Sequence, residues 1–142
     1  MKVFTTIFAI LVVFQTSTFT AKKSNTDKRT ITVTIDNVPS DNGTVNYALY
    51  NKDNFMKEPV QTQSSSPKGK KSKVVFTNIE PGNYAIICFH DANSNKKMDF
   101  QSNGMPIESY GMSNNPMSFG PPNFDEAQFE VSDKDVTLEI RF

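Results

Sequence analysis

The stretch His90-Asp91-Ala92-Asn93-Ser94-Asn95-Lys96-Lys97-Met98-Asp99 sets side-chain oxygens at Asp91, Asn93, Asn95 and Asp99. Alternate residues of an extended turn point the same way, so these oxygens can converge on one point. A hard cation such as calcium takes six to eight oxygens at about 2.3–2.6 Å. The Lys97 carbonyl adds a ligand from the backbone, and Glu108 offers a further carboxylate from the segment that follows. This cluster suggests specific chemistry: weak calcium binding by two carboxylates, or three with Glu108. The alternative is a loop in which Asp and Asn bond their own backbone as Asx-turns.

Set against an EF-hand-type loop, Asp91, Asn93 and Asn95 match ligand positions one, three and five, Lys97 position seven and Asp99 position nine. Two positions depart. Lys96 stands where the sharp turn takes glycine, and a lysine there costs on the order of 1 kcal/mol if φ is positive. Ser102 stands where the bidentate glutamate belongs, which leaves that task to Glu108. The two lysines beside the loop also oppose a cation.

Other reactive side chains are few. His90 is the single histidine. Its neighbour Asp91 would point to the opposite face of a strand and is poorly placed to orient it as a triad acid would. Ser109 and Ser113 lack the G-x-S-x-G elbow. Cys88 is the single cysteine and lies in the apolar run Tyr84-Ala85-Ile86-Ile87-Cys88-Phe89, so it reads as a small buried hydrophobe with no disulfide partner. One histidine and one buried cysteine do not make a zinc site. A hydrolase-like use of His90 and Glu108 in a cleft of the 90–110 loop is the competing enzymatic reading; a purely structural protein without a ligand is the third.

The elements that must hold this loop are strands. The chain has 142 residues, enough for one domain. Ile31, Val33 and Ile35 alternate with Thr30, Thr32 and Thr34, and Val45, Tyr47 and Leu49 alternate again. Asp41-Asn42-Gly43 between them is a tight-turn signal, so the two runs read as a hairpin. Asp53–Lys57 reads as a short helical turn stopped by Pro59. Residues 61–72 read as a loop or weak edge strand, with lysines that discourage edge pairing. Further strands fall at 74–76, 83–89, 126–131 and 135–142, with Asp133-Lys134 turning between the last two. Residues 100–123, rich in Asn, Gly and Pro with Glu108 as the sole charge, read as a long structured loop. Its Met105, Tyr110, Met112, Met117, Phe119 and Phe124 are expected to cover one end of the core; the alternative is an exposed patch that recognises a protein or glycan. The expected fold is all-β: a single antiparallel β-sandwich of about seven strands over residues 30–142.

Phe76-Thr77-Asn78-Ile79-Glu80-Pro81-Gly82-Asn83-Tyr84-Ala85 resembles the F-x-x-[IL]-x-P-G-x-Y signature of transthyretin-like and Cna-B-like sandwich domains. The continuation His90-Asp91-x-Asn93-x-Asn95, Asp99, Gly104-x-Pro106-x-Glu108-x-Tyr110-Gly111-x-Ser113-Asn114 is similar to an exported bacterial family of unknown function, DUF2141. The resemblance spans roughly residues 30–142. It implies an exported single-domain β protein and no particular activity. Loops of this type usually carry Asn-Gly where this chain has Asn95-Lys96.

The chain opens with Lys2, an apolar run from Val3 to Phe14 broken only by Thr5 and Thr6, and small polar residues to Thr20. Residues 1–20 therefore read as a signal peptide, and 21–29 as a flexible linker. The apolar run is short of the ~20 residues that span a bilayer, so no transmembrane span is expected after removal; an uncleaved anchor is the alternative. The location expected is extracytoplasmic, either periplasmic or secreted. The full chain carries 15 basic and 15 acidic residues, and loss of Lys2 leaves a net charge of −1. The basic run Lys68, Lys70, Lys71, Lys73 reads as a solvated loop, and a near-neutral chain has no electrostatic reason to seek nucleic acid. The expected role is a non-enzymatic accessory module of the cell envelope whose partner is a protein or glycan. Intact-mass measurement on protein from the native host should give a chain starting within a few residues of Ala21; a full-length mass in the cytosolic fraction would overturn export.

Overall fold

A computed structural model describes residues 28–117 and 120–142. The proposed signal peptide, most of the linker and Phe119 lie outside the described residues. Eight strands and one short helix form two sheets: β1 (Arg29–Ile35), β2 (Thr44–Tyr50), β3 (Gln61–Ser65), β4 (Ser72–Ile79), β5 (Gly82–Asp91), β6 (Tyr110–Met112), α1 (Phe124–Ala127), β7 (Phe129–Val131) and β8 (Val136–Glu139). One sheet has the order β4-β1-β8; the other runs β3-β2-β5-β6, with β7 also paired to β5.

The alternation of β-branched and polar residues decides which side chains meet between the sheets. Ile31, Val33, Ile35, Val74 and Phe76 from the smaller sheet pack against Val45, Tyr47, Leu49, Tyr84, Ile86 and Cys88 from the larger, in one core. One polar bond crosses inside it: the Tyr47 hydroxyl meets Ser72 Oγ at 2.7 Å, which satisfies a buried tyrosine on β2 with a buried serine on β4. Burial holds the Tyr47 phenol well above its ordinary range and does the same to the Cys88 thiol. Val136, Leu138 and Ile140 share the inward face of the last strand, as their spacing predicts.

The structure corrects four expectations. β1 and β2 are not a hairpin, because they belong to different sheets. Residues 36–43 instead carry the chain across the sandwich. Val38 is buried there and its N–H donates to Lys70 O at 3.0 Å. The Asp41 carboxylate accepts from the Gly69 and Lys70 N–H groups at 2.9 and 2.6 Å, and those bonds hold it below the usual carboxylate range. The sandwich is also not wholly antiparallel, since β8 pairs β1 in parallel. Parallel neighbours cannot be joined by a two-residue turn, and β1 and β8 come from opposite ends of the described chain. Residues 126–127, expected to open the 126–131 strand, close helix α1 instead: Asn123 Oδ1 accepts from Asp125 N at 2.9 Å as its N-cap. Finally, the expected 100–123 loop contains β6, which pairs Ile87–Phe89 of β5.

Pro81-Gly82 turns the chain from β4 into β5, and the Tyr84 ring lies 3.4 Å from where a Cβ on Gly82 would stand. The Tyr84 hydroxyl donates to Glu80 O at 3.0 Å, closing the corner over four residues. Tyr84→Phe should therefore cost about 1 kcal/mol, the worth of one hydrogen bond, and Tyr84→Ala about 3–5 kcal/mol by cavity formation. Chemical denaturation measures both; a loss below ~1 kcal/mol for the alanine variant would remove the corner from the stabilising elements.

Candidate functional site

β5 delivers His90 and Asp91 to one end of the sandwich, and the chain then leaves the sheet through the 92–99 loop. Asp91 is 0 % exposed. Its Oδ1 accepts from Asn95 N at 3.0 Å and its Oδ2 from Lys96 N at 2.8 Å. A buried carboxylate is tolerable only with such partners. Asn93 Oδ1 also accepts from Asn95 N at 3.0 Å, and Asn95 Oδ1 from Lys97 N at 2.8 Å. These are nested Asx-turns, and they fold the backbone back on itself. Ser94 and Lys96 sit at φ 59° and 64°. The position that the EF-hand comparison assigns to glycine is therefore left-handed here, and a lysine occupies it.

The other ends of the amides converge. Asn93 Nδ2 and Asn95 Nδ2 both donate to Asp99 Oδ2, at 2.7 and 2.8 Å. Glu108 braces the loop from outside: Oε1 accepts from Ala92 N at 3.2 Å and Oε2 from Asp99 N at 3.3 Å. Asp91, Asn93, Asn95, Asp99 and Glu108 are thus joined in one network with the backbone of Lys97. Among the described residues no three His, Cys, Asp or Glu side chains gather as a ready metal cluster, and none of the three carboxylates forms an ion pair.

His90 and Glu108 line one small depression of about 270 Å³. The histidine is 3 % exposed, and its Nε2 lies 2.7 Å from Asn42 O. Ser109 takes part through its carbonyl, which accepts from His90 N at 2.9 Å. Ser113 is fully buried; its Oγ accepts from Ile86 N at 2.9 Å and donates to Ala127 O. A larger groove of about 600 Å³ lies on the outer face of the five-stranded sheet, floored by Ile87 and Phe89.

Gly43 was not singled out as a site residue, yet it shapes this end. Its φ is +70°, and a Cβ there would overlap the Asp91 carbonyl oxygen. Gly111 does the same for β6, where a Cβ would meet Arg141 O at 2.5 Å and Ile140 Cγ2 at 2.7 Å. Asn114 and Asn115, both at positive φ, bond the neighbouring layers: Asn114 Nδ2 donates to Gln128 O at 2.6 Å and Asn115 Nδ2 to Glu139 O at 2.8 Å. Of the aromatic and methionine group, Met112 and Phe124 are buried with Ala85 and Ala127 in a second, smaller core, and Tyr110 packs partly against it. Met105 and Met117 are exposed, so the buried members of the group build a separate cluster and do not cover the main core.

A family model described as an uncharacterized protein conserved in bacteria, DUF2141, matches residues 33–139. The chain belongs to that family. No curated protein and no solved structure matches it. The match takes in the whole 91–108 network and the Gly111-Met112-Ser113-Asn114 segment. The geometry gives the Gly111, Ser113 and Asn114 positions architectural tasks: close approach, a buried ladder bond and an interlayer bond.

The Lys96 conformation has a measurable consequence. Lys96→Gly should raise stability by about 1 kcal/mol in chelator, since glycine adopts φ 64° without the Cβ penalty. Equal denaturation midpoints for the two proteins would mean that the Asp91–Lys96 bond fully determines the turn and that no strain resides there.

Proposed function

We propose that this chain is an exported, non-enzymatic β-sandwich module of the cell envelope whose 91–99 loop takes calcium weakly and is stiffened by it. The observation that carries the ion reading is the convergence of Asn93, Asn95 and Asp99 on one point. Both amides now approach Asp99 as donors, so taking an ion would require their oxygens to leave the Asn95 and Lys97 N–H groups and turn toward the Asp99 carboxylate. Asp91, the Lys97 carbonyl, Glu108 and water would complete a hard-cation shell. Two carboxylates in the loop and Glu108 beside it form no ion pair among the described residues, which leaves negative charge for a cation to offset.

The non-enzymatic reading is supported by commitments already made. The His90 ring is buried and bonded to a backbone carbonyl, and both Glu108 oxygens serve backbone N–H groups. A base or acid needs a lone pair or proton aimed at substrate. Among the described residues no helix is long and apolar enough to cross a membrane. A second reading, a self-satisfied structural loop, is favoured by one fact: the Asx oxygens of residues 91, 93 and 95 already accept from backbone N–H groups.

Thermal melts separate the two. A site with Kd near 0.3 mM stabilises the fold by roughly 1.7 kcal/mol in 5 mM calcium, through RT ln(1 + [L]/Kd). The midpoint should rise by several degrees relative to chelator, magnesium should do much less, and Asp91→Ala or Asp99→Ala should abolish the response. Identical midpoints for the unmutated protein would leave the self-satisfied loop; a response that survives both substitutions would put the ion elsewhere.

A further inference from the structure

The outer face of the larger sheet is only partly covered. The second core of Ala85, Met112, Phe124 and Ala127 covers it at one end of β5. The rest is the open groove, with Tyr50 and Pro59 towards that end and Lys96 at the other. Strand register sets its floor. Ser64, Asn46 and Phe89 stand abreast on β3, β2 and β5, and Thr62, Ala48 and Ile87 form the next row. Directly opposed residues share a face of the sheet. Asn46 is the exception in this floor. Asparagine is a poor strand former, yet this one sits half-buried within β2, a strand paired on both sides. Among the described residues its amide bonds to no protein group, and neither do the hydroxyls of Thr62 and Ser64. Asn93, Asn95, Asn114 and Asn115, by contrast, all spend their amides inside the protein. A residue that contradicts its element with no internal bond to offset the cost points to a task outside the fold.

We propose that this groove binds a neutral saccharide chain. Lys96 alone carries a charge among the lining residues, and Asp91 and Asp99 bracket it in the chain, so the groove offers no net attraction to a polyanion such as nucleic acid. The backbones of β2 and β5 are paired with strands on both sides here, so a peptide cannot join this face as an added strand. What remains is recognition by side chains. The Asn46 amide and the Thr62 and Ser64 hydroxyls can each donate and accept, as a sugar hydroxyl does. Phe89 stands beside them and Tyr50 four residues along β2 from Asn46. Both offer aromatic surface of negative potential to the C–H groups of a sugar ring. Four residues of strand span about 13 Å, so the two rings are spaced for a chain of more than one sugar unit.

The inference goes beyond the calcium reading and does not need the ion. It is therefore tested in chelator on the full mature chain, where its failure leaves the calcium reading untouched. Isotope-labelled protein is titrated with cellohexaose, xylohexaose, maltohexaose and chitohexaose and followed by NMR. At least one of them should shift the Asn46 side-chain amide and the Phe89 ring signals. Asn46→Val should weaken that binding by roughly tenfold or more, since it removes a donor and an acceptor together. It should not lower the melting midpoint, because valine is the better strand former and the amide has no internal bond to lose. Phe89→Leu, which keeps an apolar side chain and removes the ring, should weaken binding as well. Hexagalacturonate, the charged comparison, should bind no better than the neutral chains. The proposal is overturned if no saccharide moves these signals, if hexagalacturonate binds most tightly, or if Asn46→Val leaves the affinity unchanged. Shifts at the same residues that grow with protein concentration before any sugar is added would assign the face to a second copy of the chain instead.

Discussion

Strand β5 carries apolar side chains on both faces, and the layers of the molecule cover one face fully and the other over its Ala85 end. Tyr84, Ile86 and Cys88 enter the core between the sheets. Ala85 and Ile87 point the other way, into a second cluster with Met112, Phe124 and Ala127. A strand with one wet face would need only the sandwich. Covering the outer face takes β6 and α1, brought there by the 108–127 segment. Phe55 joins from the turn after β2, edge-on to Tyr50 and Phe124 at ring separations of 5.7 and 5.5 Å. Burying apolar area contributes about 25 cal/mol per Å², so each added layer stabilises the strand that carries the loop.

The same strand ends on a charge. Asp91 is the last residue of β5, and its carboxylate is where the sheet hands the chain to the loop. The buried group cannot be left unsatisfied, and the nearest donors are the N–H groups four and five residues on. Meeting that demand winds the loop and forces Lys96 into the left-handed region. Charge-assisted bonds to a carboxylate are worth about 1.5–3 kcal/mol each, which exceeds the 1–2 kcal/mol penalty of a left-handed non-glycine residue. The loop is thus determined by Asp91 more than by the turn preferences of the residues within it. Gly43 closes the arrangement from the other side, because no side chain fits against the Asp91 carbonyl.

The 100–107 hairpin, with Phe100, Met105 and Ile107 exposed, stands directly on this loop. Glu108 ties both Ala92 and Asp99, so the hairpin stands on a braced foot. The loop network and the tip are consecutive in the chain and share Asp99, whose carbonyl begins the hairpin and whose carboxylate gathers the amides.

Period-two alternation was enough to read the inward residues of β1, β2 and β8, since a half-buried strand can be written in few ways. The Asp91-x-Asn93-x-Asn95 spacing made an Asx-turn loop legible for a local reason too: Asx side chains bond the backbone two to five residues away. The steric question posed by Lys96 could likewise be framed from one residue type. Which strands pair was not local. β1 and β2 look like a hairpin around Asp41-Asn42-Gly43, but the contact that matters is between Gly43 and Asp91, 48 residues apart, and it exists only once the sheets have packed. The parallel pairing of β8 with β1, the helical form of 124–127 and the split of Met105 from Met112 between water and core have the same origin. Each depends on which surfaces the packed layers cover, and that is a property of the assembled layers, not of the residues in order.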